Sequence, residues 1–228
     1  MSIDLRNRIL WLVLFSIAMG FLETAVVVYL RELYYPNGFS FPLTVMDQRV
    51  GIIELLREAA TVIMLLGVGV LAGRSFNQRF AFFLVAFAIW DIFYYVFLKL
   101  LIDWPESFFT WDILFLIPVP WIGPVLAPCL ICVTMLLLAF VLIYREPAHP
   151  NTRLNVREWL LLVAGSLVVV ASWASDFLAY SSKSGLAIAD ATLTSLSTYV
   201  PQAYNWHFFS VGELILMAAV FLFWRRTS

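Results

Sequence analysis

Six stretches of this sequence are apolar for about the length that crosses a bilayer. That repetition constrains the fold more than any motif does. A spanning helix rises 1.5 Å per residue and needs about 20 apolar residues. The stretches are 9–30, 52–72, 80–102, 125–144, 158–180 and 204–224. Hydrophobic residues make up 63% of the chain and charged residues 13%, where a soluble domain carries about 25% charge. A water-soluble fold of this size has no way to bury so much apolar surface. The sequence therefore predicts an all-α polytopic membrane protein: a six-helix transmembrane bundle, one domain over residues 1–228. Arg6 and Arg8 ahead of the first stretch imitate a signal peptide, but the apolar run continues past Glu23 to Leu30, longer than a signal core of about 7–15 residues. We read it as a membrane helix.

The exception to this regularity is Trp90–Pro128. It begins in a helix that carries Asp91 and leaves through the acidic turn Asp103–Trp104–Pro105–Glu106. It then meets Pro118, Pro120, Pro124 and Pro128 in quick succession. Proline removes a backbone donor and clashes with the preceding turn. The uncharged run Ile113–Tyr144 is also too long for one ordinary span. We expect a proline-broken or re-entrant segment over 113–124 before the fourth helix, a kinked helix being the alternative. Non-helical backbone at membrane depth is tolerated only against protein or a wet cavity. Farther on, 186–199 reads as a short surface helix.

Net charge is −1, with no basic face for nucleic acid. Placing the N-terminus in the cytoplasm puts Arg6, Arg8, Arg74, Arg79, Arg145, Arg153, Arg157, Arg225 and Arg226 inside, nine of the 14 basic residues. The positive-inside rule then predicts a cell inner (cytoplasmic) membrane protein with both termini cytoplasmic. The bilayer is the expected partner, together with other membrane subunits or further copies in a homo-oligomer.

In that orientation the acids gather in the outer half. Glu23 lies about 21 Å along the first helix, and Asp91 falls near mid-membrane. Glu54 and Glu58 share one face of the second helix, four residues apart, with Arg57 as their charge partner. Asp176 lies close to the outer end of the fifth helix, and His207 starts the sixth. An ionised acid in lipid costs a few kcal/mol at least, so such residues turn inward and find partners. We therefore expect Glu23, Glu54, Glu58 and Asp91 to converge, with Asp176 and His207 at the rim. Each has a plainer reading as well: an interfacial ion cluster for Glu54–Arg57–Glu58, a structural hydrogen bond for Asp91 and Asp176, an interfacial anchor for His207. If a metal binds, Glu23, Glu54, Glu58 and Asp91 are its candidate ligands, and carboxylates suit iron, manganese or calcium better than copper.

Cys129 and Cys132 spell CxxC but sit in an apolar run without His or Cys partners, and we read them as helix packing. No GxSxG, HExxH, Walker or GxGxxG pattern occurs. Gly69 and Gly73 make a small-xxx-small pair for close helix contact. Tyr34, Tyr35, Trp104, Trp111, Trp121, Tyr180, Tyr199, Tyr204 and Trp206 suit an interface belt. Three functions fit: an outward-facing acidic pocket for a cation, metal or polar lipid-like ligand; a non-catalytic subunit of a larger membrane complex; or a carboxylate-dependent membrane enzyme. The sequence names no cofactor, catalytic residue or substrate.

Overall fold

The structure, a computed structural model, describes residues 3–117, 119–148, 152–183 and 197–228. It contains six helices long and apolar enough to cross a membrane. They are α1 (Ile3–Tyr34), α2 (Gln48–Ala72), α3 (Phe76–Ile102), α4 (Leu126–Arg145), α5 (Val156–Lys183) and α6 (Trp206–Arg226). The protein is a six-helix integral membrane bundle.

Most helices overrun the apolar stretches because their ends carry charge and caps rather than lipid-facing residues. Asp47 caps α2 by accepting from the amides of Arg49 and Val50, and Ser75 caps α3 by accepting from Gln78. Asn155 and Glu158 exchange hydrogen bonds at the start of α5 in capping-box fashion. α3 stops at Asp103, whose φ of 52° is left-handed, a conformation Asp tolerates better than most residues.

α3 is the hub, packing on α1, α2 and α4, while α6 packs on α5 and α4. In lipid no hydrophobic drive pulls helices together, so close contacts fall where side chains are small. A Cβ on Gly69 would come within 2.7 Å of the Phe83 amide nitrogen, and one on Gly20 within 2.9 Å of the Trp90 carbonyl. Gly165 and Gly212 do the same for α5 and α6: a Cβ on Gly212 would meet Val169 at 2.7 Å.

Between α3 and α4 the chain forms an antiparallel hairpin, β1 (Trp111–Phe115) with β2 (Trp121–Pro124). This is the form taken by the proline-broken segment expected over 113–124. The break from helix is there, but its backbone pairs in a ladder, Asp112 opposite Gly123 and Ile113 opposite Ile122, rather than bonding to neighbours piecemeal. Pro124 sits at the last paired position, where a missing donor is least costly. Pro118 and most of the helix expected over 186–199 lie outside the described residues. The hairpin packs on α5 and α4, and defines one end of the bundle. The chain termini share the other end, where Asp4 pairs with Arg74 and Arg145 reaches Ser228.

Candidate functional site

A cavity of about 150 Å³ opens beneath the hairpin, between α1, α2 and α3. Helical spacing delivers its wall. Glu23, Val27 and Arg31 stand four apart on α1, and Gly51, Glu54, Glu58 and Thr61 follow one stripe of α2. Trp90, Asp91, Tyr94 and Tyr95 come from α3, while Asp112 to Leu116 come from the hairpin. Toward the termini, the contact of Gly20 with Trp90 brings α1 onto α3, and Thr24 donates across it to the Tyr94 carbonyl at 3.1 Å.

Five carboxylates (Glu23, Glu54, Glu58, Asp91, Asp112) and two guanidiniums (Arg31, Arg57) line this space. Arg57 holds Glu54 through Nε at 2.9 Å and Nη2 at 2.6 Å, and its Nη1 donates to Glu23. One arginine thus ties α1 to α2. Glu58 accepts instead from the Leu116 amide at 3.1 Å, a tie between α2 and the hairpin. Asp91 accepts from the Cys132 thiol at 3.2 Å. Neither Glu58 nor Asp91 makes an ion pair among the described residues.

Two residues that sequence reasoning passed over complete the site. Neither Arg31 nor Asp112 stands among the candidates read from the sequence. Arg31 faces Asp112 at 3.6 Å, and its guanidinium lies over the rings of Trp104 (3.7 Å) and Phe39 (4.5 Å), which meet edge to face. Asp112 also accepts from the Tyr95 hydroxyl at 3.2 Å. Burial pushes the Asp112 carboxyl up to about 6, with Arg31 and Tyr95 pulling it back toward its ordinary value of 3.8. The available signal was periodicity: Arg31 stands on the stripe of Glu23.

The structure brings Glu23, Glu54, Glu58 and Asp91 to one cavity with Arg57 among them. It leaves Asp176 and His207 out of that wall. Asp176 accepts from Tyr199 at 2.5 Å, fastening the segment before α6 to α5, and His207 is exposed on α6. Both belong to the α5–α6 pair, whose main contacts among the described residues are with each other, α4 and the hairpin. Among the described residues no three His, Cys, Asp or Glu are grouped to hold a metal ion. Arg57 stands between Glu23 and Glu54. A further acid, Glu213, accepts from Thr134 at the α4–α6 contact. Set beside known proteins, the chain matches no family model, no curated protein and no solved structure. The functional reading rests on the cavity's own chemistry.

Proposed function

We propose that this membrane protein binds a small organic cation of the ammonium type in the acidic cavity. The observation that carries the reading is the imbalance there: five carboxylates face two arginines, and Glu58 and Asp91 are left without a cationic partner. Uncompensated carboxylates at bilayer depth are costly, and a bound cation relieves that cost. An ammonium group suits the site better than a metal, because it needs hydrogen-bond acceptors rather than a closed shell of ligands. The positive-inside count sets the hairpin end, and so the cavity, toward the outside of the inner membrane.

The reading is tested by thermal unfolding of the detergent-purified protein in propylammonium chloride and in sodium chloride at equal ionic strength. A ligand that binds only the folded state raises its stability by mass action. Propylammonium should raise the midpoint beyond the sodium control, and the Glu58→Gln/Asp91→Asn double variant should lose that excess. An equal response to both salts, or a full response in the double variant, sinks the reading.

A further inference from the structure

The terminal end of the bundle carries a second concavity, between α5 and α6. It is an open groove of about 330 Å³ lined by Asn155, Arg157, Glu158, Leu222, Arg225 and Arg226. Its one carboxylate is already engaged. Glu158 is 1% exposed and receives Arg226 through Nε and Nη2, together with the Asn155 amide. Those contacts lock the start of α5 to the end of α6 and use up the charge of Arg226. Arg157 and Arg225, one residue before each partner, line the same groove and are exposed. Neither makes a hydrogen bond or an ion pair among the described residues. α5 also begins in this wall and adds the positive end of its dipole. A positive-inside bias accounts for arginines at a helix end. It does not account for two unpaired ones in a groove whose only acid is neutralised.

The groove runs on into an apolar stripe. Leu222, Ala218 and Leu214 stand four apart on α6, and all three are exposed. Trp224, exposed beside Arg225, is the residue type that sits at headgroup level. The free guanidiniums therefore stand at headgroup depth, at the end of a lipid-facing stripe. We propose that this groove binds an anionic phospholipid, with Arg157 and Arg225 answering the charge of its phosphate and an acyl chain lying along Leu222, Ala218 and Leu214. Guanidiniums match phosphate oxygens in charge and in fork geometry. A zwitterionic lipid fits less well, because its ammonium group meets arginines and finds both Glu158 oxygens occupied. The positive-inside count faces this end to the cytoplasmic leaflet, where anionic lipids meet basic pockets between helices. The site is independent of the cation cavity at the hairpin end.

Apparent affinities of the full chain in maltoside detergent, from thermal midpoints against concentration at fixed ionic strength, test the proposal. The probes are dioleoyl phosphatidylglycerol, dioleoyl phosphatidylcholine and inorganic phosphate. Phosphatidylglycerol should bind about thirtyfold more tightly than phosphatidylcholine, the worth of two arginines beside an anionic headgroup. The Arg157→Gln/Arg225→Gln double variant should bring it to the phosphatidylcholine level and leave phosphatidylcholine binding unchanged. Arg6→Gln/Arg74→Gln removes the same charge from the same end but outside this wall, and should keep the preference. Equal affinity of the wild type for both lipids overturns the inference. A preference that survives Arg157→Gln/Arg225→Gln, or that both double variants lose alike, overturns the assignment to this groove and leaves only diffuse charge. A phosphate effect equal to that of phosphatidylglycerol overturns the lipid as the occupant and identifies a soluble anion. Should the double variant fail to fold, Arg157→Gln and Arg225→Gln singly must each lower the preference, and the assignment falls if neither does.

Discussion

The two ends of the bundle use the same residue types to opposite effect. At the terminal end two of the acids meet a cation. Asp4 pairs with Arg8 and Arg74, while Glu146, only half-buried, accepts from the neutral Ser75 and Gln78. Even the deeply buried Glu158 receives Arg226 through Nε and Nη2, both at 2.8 Å, and the Asn155 amide at 2.7 Å. At the hairpin end Arg57 serves two acids, and Glu58 and Asp91 make do with an amide and a thiol. Charges at a helix end near water can be matched or solvated one by one. Inside the bundle only protein groups or a ligand can answer them. The difference teaches that the imbalance of acids over bases, rather than acidity itself, is what sets the hairpin end apart and makes it the candidate site.

The largest expected effect breaks the link that holds the cavity's two acid-bearing helices together. Arg57→Met leaves Glu23 and Glu54 facing each other with their counter-charge gone; their side chains are 11% exposed. Removing one partner of a buried ion network costs about 3–5 kcal/mol, and the partial exposure of Arg57 places the loss near the lower figure. Neutralising the acids as well, Glu23→Gln/Glu54→Gln/Arg57→Met, should recover most of it. Denaturant unfolding in detergent measures both, and a triple variant no more stable than Arg57→Met contradicts the account.

A smaller effect sharpens the comparison through pH. Asp112 is held up to about 6 by burial, so between about pH 4 and 6 the folded chain keeps a proton that the unfolded chain has released. The folded state binds more protons there, so this group's stabilisation is full below the lower value and is lost as pH rises toward 6. Each pH unit between the unfolded and folded values is worth about 1.4 kcal/mol, so the loss is on the order of 2–3 kcal/mol across the window. Asp112→Asn should flatten that part of the wild-type slope, read as the difference between the two unfolding profiles from pH 4 to 7. Parallel profiles would show that the hairpin carboxyl does not titrate in this range.

Much of this was legible in the sequence, and the missing parts have physical causes. Run lengths mark the six spans because bilayer thickness sets them. Arg57 was readable as the partner of Glu54 from their spacing, and the prolines pointed to a break from regular helix beyond Asp112, with a kinked helix as the alternative. They did not reveal a hairpin, because strand pairing between Asp112 and Gly123 depends on contacts across a turn rather than on local spacing. Arg31 and Asp112 escaped for the same reason: each acquires its meaning only when the hairpin folds back over α1. The sequence reading put Asp176 and His207 in the same half of the membrane as the cavity residues, but that says nothing about which helices are neighbours, and α5 and α6 pack with each other.

The smallest effect is expected at the terminal end, where matched charges meet solvent. The Arg74–Asp4 pair lies at 3.2 Å with side chains 70% and 49% exposed. Water screens such a pair, and holding two flexible side chains in register costs rotamer freedom, so exposed pairs contribute about 0–1 kcal/mol. Asp4 also keeps Arg8, one helical turn away, as a second cation. Arg74→Ala should therefore shift unfolding by well under 1 kcal/mol, and 1 M salt should erase the difference, since the Debye length there is about 3 Å. Arg57→Met should keep more of its loss in the same salt, because a mostly buried pair, with side chains 20% and 11% exposed, is screened less than an exposed one. If Arg74→Ala cost as much as Arg57→Met, or if salt abolished both losses alike, the contrast between a matched rim and an unbalanced cavity would have no energetic basis.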